Sequence, residues 1–211
     1  MSRPSALLRL AALGACALML SGCISLFPKS KPAQLYRFGQ TPTAADAPAP
    51  APAAGTVSVF RAGGTFQNET AGDRLLAITG GEAQYIAESR WVAPASVLFD
   101  QAVLAAFDAA PGRVRLLSRG EAGRADYVLR LDVRNFEARY EDGPEAAPTV
   151  VVRVRASLTR SRDRSLAGEE ILEARVPASG NRVGAIVSAY DRATGDVIGQ
   201  LVRWMEARTA A

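Results

Sequence analysis

RVGAIVSAYDRATGDVIGQLVRWMEA, from Arg182 to Ala207, is the stretch whose reading decides the fold. At about 100° per residue, Val183, Ile186, Val187, Tyr190, Thr194, Val197, Ile198, Leu201, Trp204 and Met205 share one stripe about 120° wide. The spacing predicts an amphipathic helix about 39 Å long, with Ser179 or Asn181 available to cap its start. A stripe of that width must be buried against another layer. On the opposite side, Gly184, Ser188, Gly195 and Gly199 lie within about 60° of one another. Each glycine costs about 1 kcal/mol relative to alanine inside a helix, a penalty that a merely solvated face does not need. Gly195 and Gly199 have the i, i+4 spacing that lets another backbone approach. They are candidate contacts to a second subunit or a partner; the other reading is tolerated glycine or close packing within the same domain.

The layer that receives the helix is read from alternation. Tyr127, Leu129, Leu131 and Val133 take one face of a strand, and Arg130, Asp132 and Arg134 the other; Phe136 falls out of phase, which points to a bulge or an edge contact there. Val150 to Leu158 alternates in the same way, and Ile171 to Val176 is expected to pair back across the turn at 161–165. Upstream, Thr56 to Arg61 reads as a strand, and Arg74 to Ile78 with Glu82 to Ser89 reads as a hairpin over Thr79-Gly80-Gly81. After Pro94 the period turns helical, with Phe99, Val103, Ala106, Phe107 and Ala110 on one face until Pro111-Gly112 stops it. Val114 to Leu117 is a further short strand. Strands outnumber helices, and each amphipathic helix needs a sheet face. The expected fold is α+β: a mostly antiparallel sheet with two amphipathic helices packed on one face.

The N-terminus carries a different message. Arg3 and Arg9 precede a short apolar core, Leu10 to Leu20, followed by small residues and Cys23. That core is shorter than the roughly 20 apolar residues a bilayer span needs, and the order is that of a secretory signal. Leu20-Ser21-Gly22-Cys23 resembles a bacterial lipobox, in which the cysteine thiol is diacylated and its freed amine acylated. Two or three acyl chains anchor durably where one holds only marginally. Ile24, not Asp, follows the cysteine, which by resemblance to the sorting rule of enteric bacteria points to the periplasmic face of the outer membrane. Residues 1–22 are thus read as a lipoprotein signal. Residues 23–55 are read as a lipidated, Pro/Ala-rich tether with a possible docking strand at 35–38, and 56–211 as a single domain.

Composition excludes several functions. The chain contains no histidine, which removes Ser-His-Asp and Cys-His pairs and the commonest metal ligand. Its two cysteines are Cys16, inside the signal, and Cys23, so no disulfide is expected in the mature chain. The formal net charge of +4 falls by two when Arg3 and Arg9 leave with the signal, and no aromatic-laced basic patch suggests nucleic acid. Glu141-Asp142 and Glu169-Glu170 are adjacent pairs, and neighbours in sequence rarely converge on one scissile bond. No catalytic residue, metal site or cofactor is expected. Arg153, Arg155, Arg160, Arg162 and Arg164 suggest a basic face that Glu169, Glu170 and Glu173 can neutralise across a hairpin, leaving a solvated face; the other reading is attraction to anionic lipid or an acidic partner. Arg90-Trp91, between a strand and a helix, has two readings: Trp91 fills a corner of the core, or the pair contacts a partner, since Trp and Arg are enriched at hot spots.

Five features in order resemble the ABC-type transport auxiliary lipoprotein family, the PqiC-like group. They are the lipobox at Cys23; Tyr36-Arg37-Phe38; Asp73-Arg74 before a strand; Tyr85 followed by Arg90-Trp91 and a Pro-started helix; and the last helix, Ala189-Tyr190 through Trp204-Met205. The Ala-Pro stretch 41–55 looks longer than this family usually carries. The resemblance implies a non-enzymatic outer-membrane partner of transporters that join ABC subunits to MCE-domain proteins and move lipids between membranes. It implies as partners the membrane, through lipidated Cys23, and those transporter subunits; a homo-oligomer is compatible with the glycine face. The alternative is a stand-alone envelope lipoprotein that binds a lipid or glycan or assists envelope assembly.

Overall fold

The computed structural model describes residues 32–39, 55–117 and 125–210. The signal, the lipobox with Cys23 and nearly all of the 41–55 stretch lie outside the described residues. In chain order the elements are β1 (Gln34–Tyr36), β2 (Val57–Arg61), α1 (Asn68–Ala71), β3 (Arg74–Thr79), β4 (Glu82–Trp91), α2 (Ala95–Ala109), β5 (Val114–Leu117), β6 (Tyr127–Tyr140), β7 (Thr149–Arg160), β8 (Leu166–Pro177) and α3 (Val183–Thr209). They belong to one compact unit, Ala33–Ala211.

β6 is the spine of the sheet. Along one edge it pairs antiparallel with β7, from Tyr127↔Arg160 to Arg139↔Thr149, and β8 continues antiparallel beyond. Its other edge is shared. β2 runs parallel to its first residues, Val59↔Tyr127 to Arg61↔Leu129, and β3 runs parallel to its last, Ala77↔Ala138 to Thr79↔Tyr140. The sheet therefore forks. One branch ends in β5, parallel to β2; the other passes through the β3–β4 hairpin to β1, which lies parallel to β4. A single bridge, Phe66↔Val133, stands in the fork. The long ladders are antiparallel, and short parallel ones make the sheet mixed.

Local sequence explains the strands. In β7 the inward residues Val150, Val152, Val154, Ala156 and Leu158 are at most 1% exposed, while arginines and hydroxyls alternate outward. In β6 the register shifts between Val133 and Asn135, which brings Phe136 and Ala138 back to the buried face. The break thus comes just before Phe136, and the strand runs on to Tyr140. β8 starts at Leu166, five residues before the expected Ile171. α1, a single turn, carries no period of its own and was not expected.

α2 and α3 lie against each other on one face and share one core with the sheet. α2 follows Pro94 and buries Leu98, Phe99, Ala102, Val103 and Phe107. α3 buries Ile186, Tyr190, Thr194, Val197, Ile198, Leu201 and Met205, as its stripe requires. The expected cap is corrected. Arg182 precedes the helix without a side-chain cap bond, because the Asn181 carboxamide is engaged elsewhere. It accepts from Tyr140 Oη at 2.9 Å and donates to the Pro144 carbonyl at 3.0 Å, tying the β6–β7 turn. No helix among the described residues is long and apolar enough to cross a membrane.

Candidate functional site

The motifs spread along the sequence meet in one corner. Phe38, just past β1, packs edge-on against Trp91 at 4.9 Å between ring centroids, and Trp91 packs on Tyr190 at 5.3 Å. Phe136 closes the cluster, 5.0 Å from Phe38 and 4.9 Å from Tyr190. Four separate elements thus contribute one ring each, in offset and edge-to-face geometries that favour aromatic pairs. The Tyr190 hydroxyl donates to the Leu76 carbonyl at 3.0 Å, and burial lifts its pKa well above the ordinary tyrosine value. Trp91 is 2% exposed, so the indole of Arg90-Trp91 lies within the core. What reaches the surface there is the ion pair of Arg90 with Asp73 at 2.7 Å, flanked by Arg74 over the Tyr85 ring at 4.9 Å.

From this corner a groove runs between α2 and α3, with a volume of about 1170 Å³. Ala102, Ala105, Ala106 and Ala109 line it from α2, and Asp191, Gly195, Ile198, Gly199 and Val202 from α3, with Arg37, Arg192 and Arg203 also along it. Gly39 sits at its upper end with φ +74°, and its N–H donates to Asp191 Oδ1 at 2.7 Å. A Cβ at Gly39 would stand 2.6 Å from the Ala102 methyl, so glycine is required both by conformation and by contact.

The two glycines singled out in the sequence behave differently. A Cβ on Gly195 would meet nothing within 4 Å, and one on Gly199 would meet only the Arg203 guanidinium, at 3.5 Å. The packing of the described domain gives no reason for glycine at either position. Both face the open groove. Gly39, Asp191 and, of the α2 alanines, Ala102, Ala105 and Ala109 were not singled out in the sequence; the signal for them was a glycine one residue after Phe38.

One carboxylate of each acidic pair is engaged in an ion pair. Glu141 accepts from Arg175 at 2.5 Å, and Glu169 from Arg155 at 2.5 Å. The Arg155 hydrogen bond holds the Glu169 carboxyl below its usual range. Arg153 adds a pair with Glu173 at 3.3 Å, so arginines of β7 and carboxylates of β8 balance across the ladder. Among the described residues no group of three or more Cys, Asp or Glu could hold a metal ion.

A family model described as the ABC-type transport auxiliary lipoprotein component matches residues 75–202. Among solved structures, protein XCC0632 from Xanthomonas campestris, of family-model DUF330, is 26% identical with a TM-score of 0.63 over 75% of this chain and 90% of that one. An uncharacterized protein superposes with a TM-score of 0.63 at 12% identity, covering 83% of this chain and 99% of its own. The hypothetical protein CT253 from Chlamydia trachomatis gives 0.52 at 13% identity, over 73% and 98%. The last two share the fold. No curated protein matches. With the matched region running from β3 through most of α3, the chain belongs to the ABC-type transport auxiliary lipoprotein family.

Proposed function

We propose that the chain is an auxiliary lipoprotein held at the periplasmic face of the outer membrane through acylated Cys23. It serves there as a docking partner for the MCE-domain protein and ABC subunits of an intermembrane lipid transport system. The observation that carries this reading is the family match over most of the folded domain, residues 75–202. The groove between α2 and α3 supports a place for the contact, because Gly195 and Gly199 leave space that the domain itself does not fill. Arg90 adds an accessible charge at the upper corner, while Trp91 acts by fixing that corner from within.

The protein is proposed to have no activity of its own and to need no cofactor. It lacks histidine, and one carboxylate of each adjacent acidic pair, Glu141 and Glu169, is bound to an arginine. A second reading, a stand-alone lipoprotein that holds a lipid or glycan, draws on the same groove. Its alanine lining suits an acyl chain, and Arg192 and Arg203 would meet a polar head.

Cys23→Ser tests the anchor. Wild-type chain is expected to mature, carry radiolabelled fatty acid and fractionate with the outer membrane, and the variant to stay unprocessed and unlabelled. A variant that still matures with label removes Cys23 from the account.

A further inference from the structure

The two ends of the sheet carry opposite charge. At one end β2, β5 and β6 begin, β7 turns into β8, and α3 finishes. Ser161 N–H donates to the Asp126 carbonyl at 2.9 Å, and Val57 N–H to the Arg113 carbonyl at 2.8 Å. Arg208 lies along Gly168 of β8. Among the described residues, Arg113, Arg160, Arg162, Arg164 and Arg208 gather here. Asp126, Asp163 and Glu206, also among the described residues, share this end, and each accepts from backbone N–H donors. Asp126 accepts from Ser58 N–H at 2.8 Å, and Asp163 from Ser165 N–H at 3.0 Å. Glu206 accepts from Arg113 N–H at 3.2 Å and Val114 N–H at 3.0 Å.

All five arginines are exposed. Arg162 is 90% exposed and only 4.0 Å from Asp163 at its nearest. Among the described residues, Arg164 and Arg208 have no carboxylate partner. The turn that carries Arg162 and Arg164 is tied by backbone bonds: Arg164 adopts φ +61°, its N–H reaches the Arg160 carbonyl at 3.0 Å, and Arg160 N–H reaches the Ser165 carbonyl at 2.9 Å. Leu166, the next residue along, is 61% exposed. The opposite end presents Glu82 at the start of β4 and Asp142 and Glu145 on the β6–β7 turn, with Glu141 held by Arg175 and Arg182 exposed at the start of α3.

We propose that the basic end seats on an anionic phospholipid surface, with Arg162, Arg164 and Arg208 on phosphate oxygens and Leu166 in the headgroup layer. Guanidinium groups match phosphate geometry with two parallel hydrogen bonds. A convex hairpin tip with one protruding leucine suits a deformable headgroup layer, whereas an acidic protein would need a matching concavity. The acidic end is repelled by the same surface, so the domain takes a defined orientation on it. This contact is separate from Cys23 and from the groove.

The test uses the purified full chain with vesicles of phosphatidylcholine alone or mixed with phosphatidylglycerol. Binding common to both reports any anchor; the preference for phosphatidylglycerol reports the tip. That preference is expected to fall with added salt and by about fivefold for each arginine removed, in Arg162→Ser, Arg164→Asn and Arg208→Gln. Asparagine tolerates the left-handed backbone at position 164, and Arg162 and Arg208 do not adopt that conformation. Amide exchange across 160–168 is expected to slow on the mixed vesicles. Equal binding to both vesicles, or a preference that survives all three substitutions, overturns the proposal. So does protection of 160–168 by a co-purified acidic protein with no effect of vesicles.

Discussion

Gly39→Ala is the most informative single perturbation of the corner from which the groove starts. Two costs are readable. The residue sits at φ +74°, where a side chain costs about 1–2 kcal/mol. The new methyl would stand 2.6 Å from the Ala102 Cβ, on a helix packed into the core, and relief by backbone movement costs about 1–3 kcal/mol. The single variant is therefore expected to lose about 2–5 kcal/mol. The second cost can be separated from the first. Ala102→Gly alone should cost about 1 kcal/mol in helix propensity. Combined with Gly39→Ala it removes the clash and should recover about 1–3 kcal/mol as coupling, leaving the backbone cost in place. Urea unfolding followed by far-UV circular dichroism, with the slope held constant across the four proteins, measures each term. If Gly39→Ala costs under about 0.5 kcal/mol, or Ala102→Gly shows no coupling to it, the close approach of the chain after β1 to α2 is wrong.

Two further outcomes are expected. Trp91→Ala should destabilise by about 3–5 kcal/mol, since it empties a site bounded by Phe38, Phe136 and Tyr190; a loss below about 1 kcal/mol in urea unfolding would remove the ring cluster as the hub. For Asp132, desolvation raises the carboxyl pKa, but the hydroxyl and N–H of Thr65 and the charge of Arg130 outweigh it and hold the value below the ordinary 3.8. A depressed folded pKa contributes stability that is full above that ordinary value and is lost as pH falls through the folded one. Asp132→Asn should therefore flatten the stability-versus-pH curve below about pH 4, and an unchanged acid limb would contradict the assignment.

The contrast between α3 and the corner explains what the sequence made legible. The stripe of α3 is written in consecutive turns of one helix, so its burial could be read residue by residue. The alternation of β7 fixes its inward face for the same reason, since side chains in a strand have a period of two. Nothing local says that β6 shares one edge between β2 and β3, because partner choice depends on contacts across more than fifty residues of chain. Phe38, Trp91 and Tyr190 were each visible as motif members, but their meeting point was not. The cap at Asn181 was misread because a side chain able to cap a helix found two partners across the β6–β7 turn. The glycines of α3 were visible as a penalty without a purpose. The structure adds that a Cβ at Gly195 would stand in open space above the groove.

Affinity capture of the full-length chain from envelopes, with quantitation of the transporter's MCE-domain and ABC subunits, tests the central claim most directly. Wild-type chain should retain those subunits. Gly195→Leu combined with Gly199→Leu should lose them while unfolding at the wild-type midpoint or above it, because each substitution removes a helix penalty of about 1 kcal/mol and a Cβ at either position stands clear of the neighbouring elements. Undiminished capture by that folded variant would place the contact away from the groove. Absence of the subunits from the wild-type capture, under conditions that keep the transporter intact, would contradict the docking role itself.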